Sequence, residues 1–271
     1  MKKHITNSIS NIFDKFANKK FNSHIQNFIN SAYVKLLGLD MSEFRQPQTY
    51  GTLNELFTRK LETKRKFDNT NETYISPTDS FVSAQDEIKN NTVYQIKGMS
   101  YKLDELLTEH INDNNLDGGY FMNFYLSPKD YHRYHSPYNF RLLKLIHIAG
   151  KLYPVNFNYL NKKQNLFIQN ERVVAVCETA NKQKFYMVFV GALNVGKMVF
   201  EVEPKIKTNS KPNSTTIYNY EDIYIKKADC MGYFEMGSTV LIFWQKDMIS
   251  LENLENKKVK FTDTIGRSSY V

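Results

Sequence analysis

The run YFEMGSTVLIFW, residues 233–244, places a small polar triplet directly before an apolar segment near the end of the chain. The residues after the triplet are mostly β-branched and aromatic, which is typical of a buried strand. Gly237, Ser238 and Thr239 are small or polar and favour turns, so a hairpin turn is the simplest interpretation of them. Whether Ser238 is more than a turn residue depends on the rest of the chain.

Short β-branched and aromatic runs, divided by turn residues, fill the chain from about residue 72 onward. Their spacing predicts a β-rich body with a barrel or sandwich-like form. The runs are YISPTDSFVSA, TVYQIKG, GYFMNFYLS, RLLKLIHIAGKLYPV, NLFIQNERVVAVCET, KFYMVFVGAL and KMVFEVE. Because the helical patterns precede these strands, the fold class is α+β.

The N-terminal part shows the period of amphipathic helices. One apolar stripe runs through residues 5–16, and LNELFTRKL, residues 53–61, predicts a short helix further on. A second stripe, which stops near Gly38, is formed by Ile25, Phe28, Ile29, Ala32 and Leu36. Lysines flank the segment at residues 5–16 and the segment that stops near Gly38. These two helices therefore either pack on the body or lie in a membrane interface.

Composition narrows the classes of protein. The 271 residues, 41% of them apolar, can build a real core, and two cysteines do not make a disulfide framework. No run approaches the roughly 18 apolar residues of a membrane-spanning helix. The formal net charge of +8 favours an anionic partner, either a lipid surface or nucleic acid. Nucleic acid is the weaker option, because no RNA-binding or zinc-finger signature is present.

Three kinds of polar residue could carry chemistry. YLSPKDYHRYHSPY places His132 and His135 three residues apart, as a metal-binding pair or as hydrogen-bonded structural residues. YISPTDSF places Asp79 in a turn. An aspartate, a histidine and a serine in this chain order can form a base-activated nucleophile. Ser238 lacks the G-x-S-x-G setting of an α/β-hydrolase, so ordinary serine hydrolysis fits poorly.

Combined, these motifs resemble those of the bacterial, pyruvoyl-dependent phosphatidylserine decarboxylase proenzymes. The matching stretches run in order from about residue 53 to residue 239. They are LNELFTRKL, SPTDS, IKGMSYKLDELL, FYLSPKDYHRYHSP, GKLYPVN, LFIQNERVV, VGALNVGKM and GYFEMGST. The pairing of DYHRYHSP with a late Gly-Ser-Thr is the most specific part of the resemblance.

The resemblance implies self-cleavage between Gly237 and Ser238, which gives chains 1–237 and 238–271. The Ser238 hydroxyl attacks the Gly237 carbonyl, and glycine tolerates the contorted backbone that this attack needs. Ser238 then becomes a covalent pyruvoyl cofactor, whose ketone forms a Schiff base with the amine of phosphatidylserine. Carbon dioxide leaves and phosphatidylethanolamine is released, with no metal required.

By the same resemblance, Asp79 and His135 form a charge-relay pair that activates Ser238 for cleavage, and His132 assists near the pyruvoyl group. His135 takes the hydroxyl proton while Asp79 orients its ring. A lipid substrate also favours membrane docking by the N-terminal helices.

Three residues depart from the family pattern. Met236 stands where leucine is usual, Ser80 follows Asp79 where glycine is common, and Ala228 replaces a glycine in the segment before the cleavage site. None of these changes removes a reacting group.

The resemblance sets the expected organisation and partners. Residues 1–60 form a helical membrane-docking region and residues 61–271 the catalytic β body. The partners are phosphatidylserine in the bilayer, an anionic membrane surface, and the two chains of the cleaved protein. The expected location is peripheral, on the cytoplasmic face of a bacterial membrane. The oligomeric state stays open, with a homodimer as one option.

Two other functions are open to this sequence. One is a catalytically silent β module that binds membrane surfaces, in which the Gly-Ser-Thr is only a turn. The other is a metal-dependent hydrolase that uses His132 and His135. Cleavage before Ser238 separates both from a decarboxylase proenzyme.

Overall fold

A computed structural model of the chain describes residues 14–94, 100–108, 110–111, 113, 116–155, 165–193, 197–209, 214–235 and 238–269. The helices are α1 (Ser23–Leu37), α2 (Leu53–Phe57), α3 (Leu103–Leu107) and α4 (Leu166–Gln169), with a 3₁₀ turn at Pro47–Thr49. The strands are β1 (Thr73–Ile75), β2 (Ser80–Glu87), β3 (Thr92–Tyr94), β4 (Ser100–Lys102), β5 (Tyr120–Leu126), β6 (Arg133–His135), β7 (Phe140–Ile148), β8 (Arg172–Glu178), β9 (Lys184–Val190), β10 (Met198–Phe200), β11 (Thr215–Ile225), β12 (Cys230–Phe234), β13 (Ser238–Trp244), β14 (Ile249–Leu251), β15 (Lys258–Val259) and β16 (Thr264–Ser268).

Eight antiparallel strands form the central sheet, in the order β11-β7-β8-β9-β13-β5-β2-β15. Three smaller sheets have the orders β1-β16-β14, β10-β12-β6 and β3-β4. None of them closes on itself within the described residues, so the body is sandwich-like. The α+β prediction is confirmed in its sandwich form and not in its barrel form.

Strand β13 lies in the middle of the central sheet, between β9 and β5. All seven of its residues are buried, as its nearly continuous apolar sequence predicts. The predicted strand is therefore confirmed, and it begins at Ser238 itself. This places Ser238 and Thr239 at the start of a strand that is buried along its whole length.

Helix α1 confirms the second predicted amphipathic segment. The Asn22 side chain accepts a hydrogen bond from the Ile25 N–H at 3.0 Å, and the helix ends at Gly38, whose φ of 61° is left-handed. Ile29, Tyr33 and Val34 of its inner side pack against a small core cluster made of Ala17, Tyr50, Leu53 and Leu56. Most of the first predicted segment, residues 5–13, lies outside the described residues.

One predicted strand run contains a helix. The NLFIQN part of NLFIQNERVVAVCET forms α4, and the strand begins only at Arg172. Leu166 and Phe167 of this helix are buried, and the Arg172 guanidinium binds the Ile168 carbonyl at 2.6 Å. A short apolar run does not distinguish a buried turn of helix from a strand, and here the helix buries Leu166 and Phe167 in the main core.

Candidate active site

Ser238 is fully buried at the first position of β13, opposite Leu126 of β5. Its neighbour Thr239 donates its hydroxyl to the Phe124 carbonyl at 2.9 Å. The Ser238 hydroxyl has no hydrogen-bond partner among the residues that the structure describes. A buried polar group without a partner costs roughly 1–3 kcal/mol, which calls for an explanation in structure or chemistry. The predicted cleavage partner Gly237 and its neighbour Met236 lie outside the described residues.

His132 lies in the turn that connects β5 to β6 and is completely buried. Its Nδ1 is 2.8 Å from the Asp130 carbonyl oxygen, which can only accept, so the proton lies on Nδ1. The other nitrogen, Nε2, has no partner within the described part of the chain. Burial lowers the pKa of His132 to about 3, so the ring is neutral and Nε2 presents a bare lone pair.

His135 ends β6 and differs from His132 in its contacts. Its Nδ1 lies 3.1 Å from the Ala228 carbonyl oxygen, and its Nε2 lies 3.0 Å from the Tyr131 hydroxyl. The Nδ1–H therefore donates to Ala228, and Nε2 accepts from Tyr131. The ring stacks on Phe261 with 3.7 Å between centroids. Burial lowers the pKa of His135 to about 4, which keeps it neutral.

Asp79 is held by cationic and backbone donors. The two Nη atoms of Arg65 lie 2.5 and 2.9 Å from the two carboxylate oxygens, and the Phe261 N–H donates to Asp79 at 2.7 Å. Arg65 also binds both oxygens of Glu43 at 2.8 Å. Paired, charge-assisted bonds of this type fix a carboxylate firmly.

The main chain brings the predicted residues into one region. The His135 N–H donates to the Pro77 carbonyl at 2.9 Å, so the turn that carries Asp79 runs beside β6. The Phe234 N–H donates to the His132 carbonyl at 3.0 Å, four residues before Ser238. No hydrogen bond joins the side chains of Asp79, His135 and Ser238 to one another among the described residues. Phe261 lies between the first two, with its backbone on Asp79 and its ring on His135.

A cavity of about 470 Å³ opens beside His135. Tyr131, Phe261 and Ala228 contribute apolar surface to its wall. Five cationic and three acidic side chains also line it: Lys60, Lys64, Arg65, Arg133 and Lys227, and Glu62, Glu201 and Asp229. Apolar walls with an excess of cations suit an amphiphilic anion.

Several residues of this region carried no signal in the sequence. Arg65 belongs to none of the motifs in the sequence, and Phe261 lies 182 positions from Asp79 in the chain. Tyr131 could have been found, because it alternates with the histidines in DYHRYH. Ala228 was noted as a departure, and it has the left-handed φ of 69° that glycine would adopt without strain.

Two features of the described residues concern metal binding and membrane spans. Among the described residues, no group of three or more His, Cys, Asp or Glu side chains could hold a metal ion. Nor does that part of the chain contain a helix long and apolar enough to cross a membrane.

Comparison with known proteins identifies the family. The model of the phosphatidylserine decarboxylase family matches residues 53–267. A phosphatidylserine decarboxylase proenzyme of Helicobacter pylori is 44% identical over 97% of both chains. Proenzymes of the same name from Campylobacter jejuni and Idiomarina loihiensis are 40% and 35% identical, over 95% and 93% of this chain and 97% and 88% of their own. The chain belongs to the phosphatidylserine decarboxylase family.

Proposed function

We propose that this chain is a proenzyme that cleaves its own Gly237–Ser238 bond and then decarboxylates phosphatidylserine to phosphatidylethanolamine. The observation that carries this proposal is the position of the buried, unpartnered Ser238 hydroxyl, at the residue that follows Gly237 in the sequence. A hydroxyl that serves only a structural role normally finds a partner when it is buried. A hydroxyl that is to be consumed in a reaction needs no lasting partner.

Cleavage requires four changes at the bond. The Ser238 Oγ loses its proton and attacks the Gly237 carbonyl carbon, so that the acyl group moves from nitrogen to oxygen. Loss of the Cα proton of residue 238 then allows elimination, which breaks the Cβ–Oγ bond and leaves a carboxylate on Gly237 and a dehydroalanine at position 238. Water then replaces the nitrogen, ammonia departs, and the new chain begins with a pyruvoyl group.

His135 is the proposed base, with Asp79 as its orienting partner. The ring is neutral and its Nε2 lone pair accepts from Tyr131, so the Ser238 hydroxyl has to replace Tyr131 at this nitrogen. Asp79 lies across Phe261 from His135, and it is firmly held there by Arg65. A positioned base of this kind contributes typically about 10²–10⁴-fold.

The site around position 238 fits a small ketone. The hydroxyl oxygen leaves with Gly237 and Cβ becomes a methyl group, so the change removes the unsatisfied hydroxyl from the buried site. When formed, the pyruvoyl group supplies a carbonyl that accepts the electrons of the breaking carbon–carbon bond. His132 is the proposed assisting residue, because its bare Nε2 can hold or move a proton in the same water-excluded region.

Membrane docking by the N-terminal helices completes the proposal. Helix α1 exposes 75% of Phe28 and 83% of Leu36, and lysines flank it. An apolar outer face with basic flanks suits an anionic lipid surface, where a lipid-modifying enzyme has to work. This supports a peripheral protein on the cytoplasmic face of a bacterial membrane, with residues 1–60 as the docking region.

A lipid conversion assay tests the proposal. Purified protein is mixed with phosphatidylserine vesicles, and phosphatidylethanolamine is measured by mass spectrometry. Conversion is expected for the natural chain and is expected to be absent in Ser238→Ala. Ser83→Ala is the matched control, since Ser83 is also buried with an unpartnered hydroxyl, on β2 of the same sheet, which β5 separates from β13. Conversion by Ser238→Ala, or none by the natural chain, contradicts the proposal.

A further inference from the structure

Three consecutive residues at the end of α2 contact the turn that carries His132. The Phe57 ring lies 4.0 Å from the His132 ring, measured between centroids. The Thr58 carbonyl accepts from the Arg133 Nε at 3.0 Å. Arg59 donates from Nη2 to the carbonyls of residues 129 and 130, at 3.1 and 3.4 Å. This segment therefore holds the turn from both sides of the imidazole.

One backbone oxygen joins Arg59 to His132. The Asp130 carbonyl accepts from the Arg59 Nη2 and also from the His132 Nδ1–H. The contact to Nδ1 decides which tautomer His132 adopts, and so leaves Nε2 without a proton. The position of this carbonyl is thus the geometric link between the guanidinium and the free nitrogen of the ring.

Arg59 itself is an unusual buried cation. It is 3% exposed, its guanidinium lies over the Phe44 ring at 4.5 Å, and its Nε and Nη1 have no hydrogen-bond partner within the described residues. No carboxylate forms a salt bridge with it in that part of the chain. Burying a cation with unsatisfied donors is costly, and its charge acts strongly on neighbouring groups.

Other charged groups near the His132 turn are engaged elsewhere. The Asp130 carboxylate accepts the Ser127 N–H at 2.7 Å within the turn. Glu235, which follows β12, interacts with Lys197, Asn54 and Asp14. Arg59 is the charged side chain that acts on the imidazole itself.

We propose that Arg59 is a positioning residue for His132: it holds the backbone carbonyls of residues 129 and 130 so that Nδ1 keeps the proton, and its charge adds to the effect of burial in disfavouring a second proton on the ring. Nε2 is then available to handle a proton during turnover. This role rests on the proposed function, in which His132 assists the reaction. Burial, with a smaller contribution from the Arg59 cation, lowers the pKa of His132 to about 3, in agreement with this role.

The test reads His132 directly in the uncleaved full-length chain. In Ser238→Ala protein with ¹⁵N-labelled histidine, nuclear magnetic resonance gives the tautomer and the titration midpoint of His132. The expected state is the Nδ1–H tautomer, neutral down to about pH 4. Adding Arg59→Met is expected to raise the midpoint by about one pH unit. Adding Arg59→Lys keeps the charge but loses the two-carbonyl contact, so both tautomers are expected.

Arg172→Met is the matched control. Arg172 is also buried, 4% exposed, and also bonds only to backbone carbonyls, but its partners belong to residues 105–106, 168 and 170. Its loss is expected to leave the titration of His132 unchanged. In the cleaved protein, Arg59→Lys is expected to lower turnover on the order of tenfold while the pH midpoint of the rate stays in place.

Each outcome decides the proposal. An Nε2–H tautomer in the parent chain overturns it, as does a midpoint in Arg59→Met equal to that in Arg172→Met. If Arg59→Met does not fold, the Arg59→Lys variant tests the proposal instead. An unchanged Nδ1–H tautomer of His132 in Arg59→Lys would show that the carbonyl contacts of Arg59 do not position the ring, and would overturn the proposal. The tautomer and the titration midpoint of His132 are measured in a chain that does not cleave, so their outcome is independent of the proposed function. The proposed function is contradicted separately, if the natural chain stays in one piece.

Discussion

Helix α1 and strand β13 both place side chains against the usual rule of apolar inside and polar outside. Helix α1 exposes Phe28 and Leu36 while it buries Gln26 and Asn30, and β13 buries Ser238 at its first position. In a folded protein, such inversions mark contact with a partner or chemistry. We infer that the exposed apolar side chains of α1 serve contact with a surface, and that the buried hydroxyl of β13 serves a reaction.

Asn30 and Ser238 show why burial of a polar group alone does not mark a site. Both are fully buried, but the Asn30 amide accepts from Gln26 at 2.8 Å and donates to the carbonyls of Pro47 and Tyr50, both at 2.9 Å. The Ser238 hydroxyl finds no partner in the described structure. The hydrogen bonds of Asn30 therefore stabilise the packing of α1 on the rest of the protein. The unpartnered Ser238 hydroxyl lowers the stability of the fold, and a role in the reaction would explain why it is there.

The largest expected effect is the difference in cleavage rate between variants of His135 and His132. His135→Gln is expected to slow cleavage about 10²–10⁴-fold, because the proposed base is lost. His132→Gln is expected to leave cleavage within about tenfold of the natural rate and to reduce lipid turnover instead. A time course of chain cleavage on denaturing gels measures the first effect. Equal cleavage in both variants, or the reverse order, contradicts the assignment.

Membrane binding through α1 is tested by replacing its exposed apolar side chains with polar ones. Phe28→Ser with Leu36→Ser is expected to weaken binding to anionic vesicles by at least about 100-fold, because each large apolar side chain contributes about 1.5–3 kcal/mol when buried. Sedimentation with vesicles measures this. Tyr224→Ser is the control, since Tyr224 is 72% exposed on β11, in the central sheet rather than in the helices. Equal losses in both proteins contradict membrane docking through α1.

Burial of the histidines should also appear in the pH dependence of stability. Burial lowers the pKa of His132 and His135 from 6.5 to about 3 and 4, and raises that of Asp130 from 3.8 to about 6. Between pH 6 and 5, His132 and His135 are protonated in the unfolded chain and neutral in the folded chain, whereas Asp130 is protonated only in the folded chain. The unfolded chain therefore binds about one proton more than the folded chain. The free energy of unfolding should therefore fall by about 1.4 kcal/mol per pH unit on acidification.

Urea unfolding of Ser238→Ala at a series of pH values measures this slope. Asp130→Asn removes the opposing proton, so the decrease should become about twice as steep. A slope near zero, or a shallower slope in Asp130→Asn, contradicts the burial of two neutral histidines.

The smallest effect concerns backbone strain beside His135. Ala228 has a left-handed φ of 69°, and its carbonyl accepts the His135 Nδ1–H. Ala228→Gly is expected to raise the free energy of unfolding by about 1 kcal/mol, because strain at Cβ is removed. Denaturant unfolding of Ser238→Ala with and without this change measures the gain. A loss of stability shows that the alanine methyl packs more favourably than its strain costs.

The sequence could predict the strands, α1, α2 and the segments that carry the site, since these follow from local period and motif. It could not predict the side-chain partners. Phe261 reaches Asp79 because β15 pairs with β2, a contact between distant parts of the chain, and Arg65 reaches it from an irregular segment before β1. Arg59 read as part of a helical motif, and its role depends on a carbonyl contact 71 positions away. The arrangement of Asp79 and Ser238 relative to His135 likewise depends on tertiary packing and not on spacing.

The central claim is that Ser238 is buried in order to react, and the intact mass of the folded, purified protein tests it most directly. The account predicts two chains, residues 1–237 and a 34-residue chain, 238–271, whose N-terminus is blocked as a pyruvoyl group. Ser83→Ala should give the same two chains, and Ser238→Ala should stay as one. A natural chain that is correctly folded but remains at its full mass of 31.8 kDa would contradict the account.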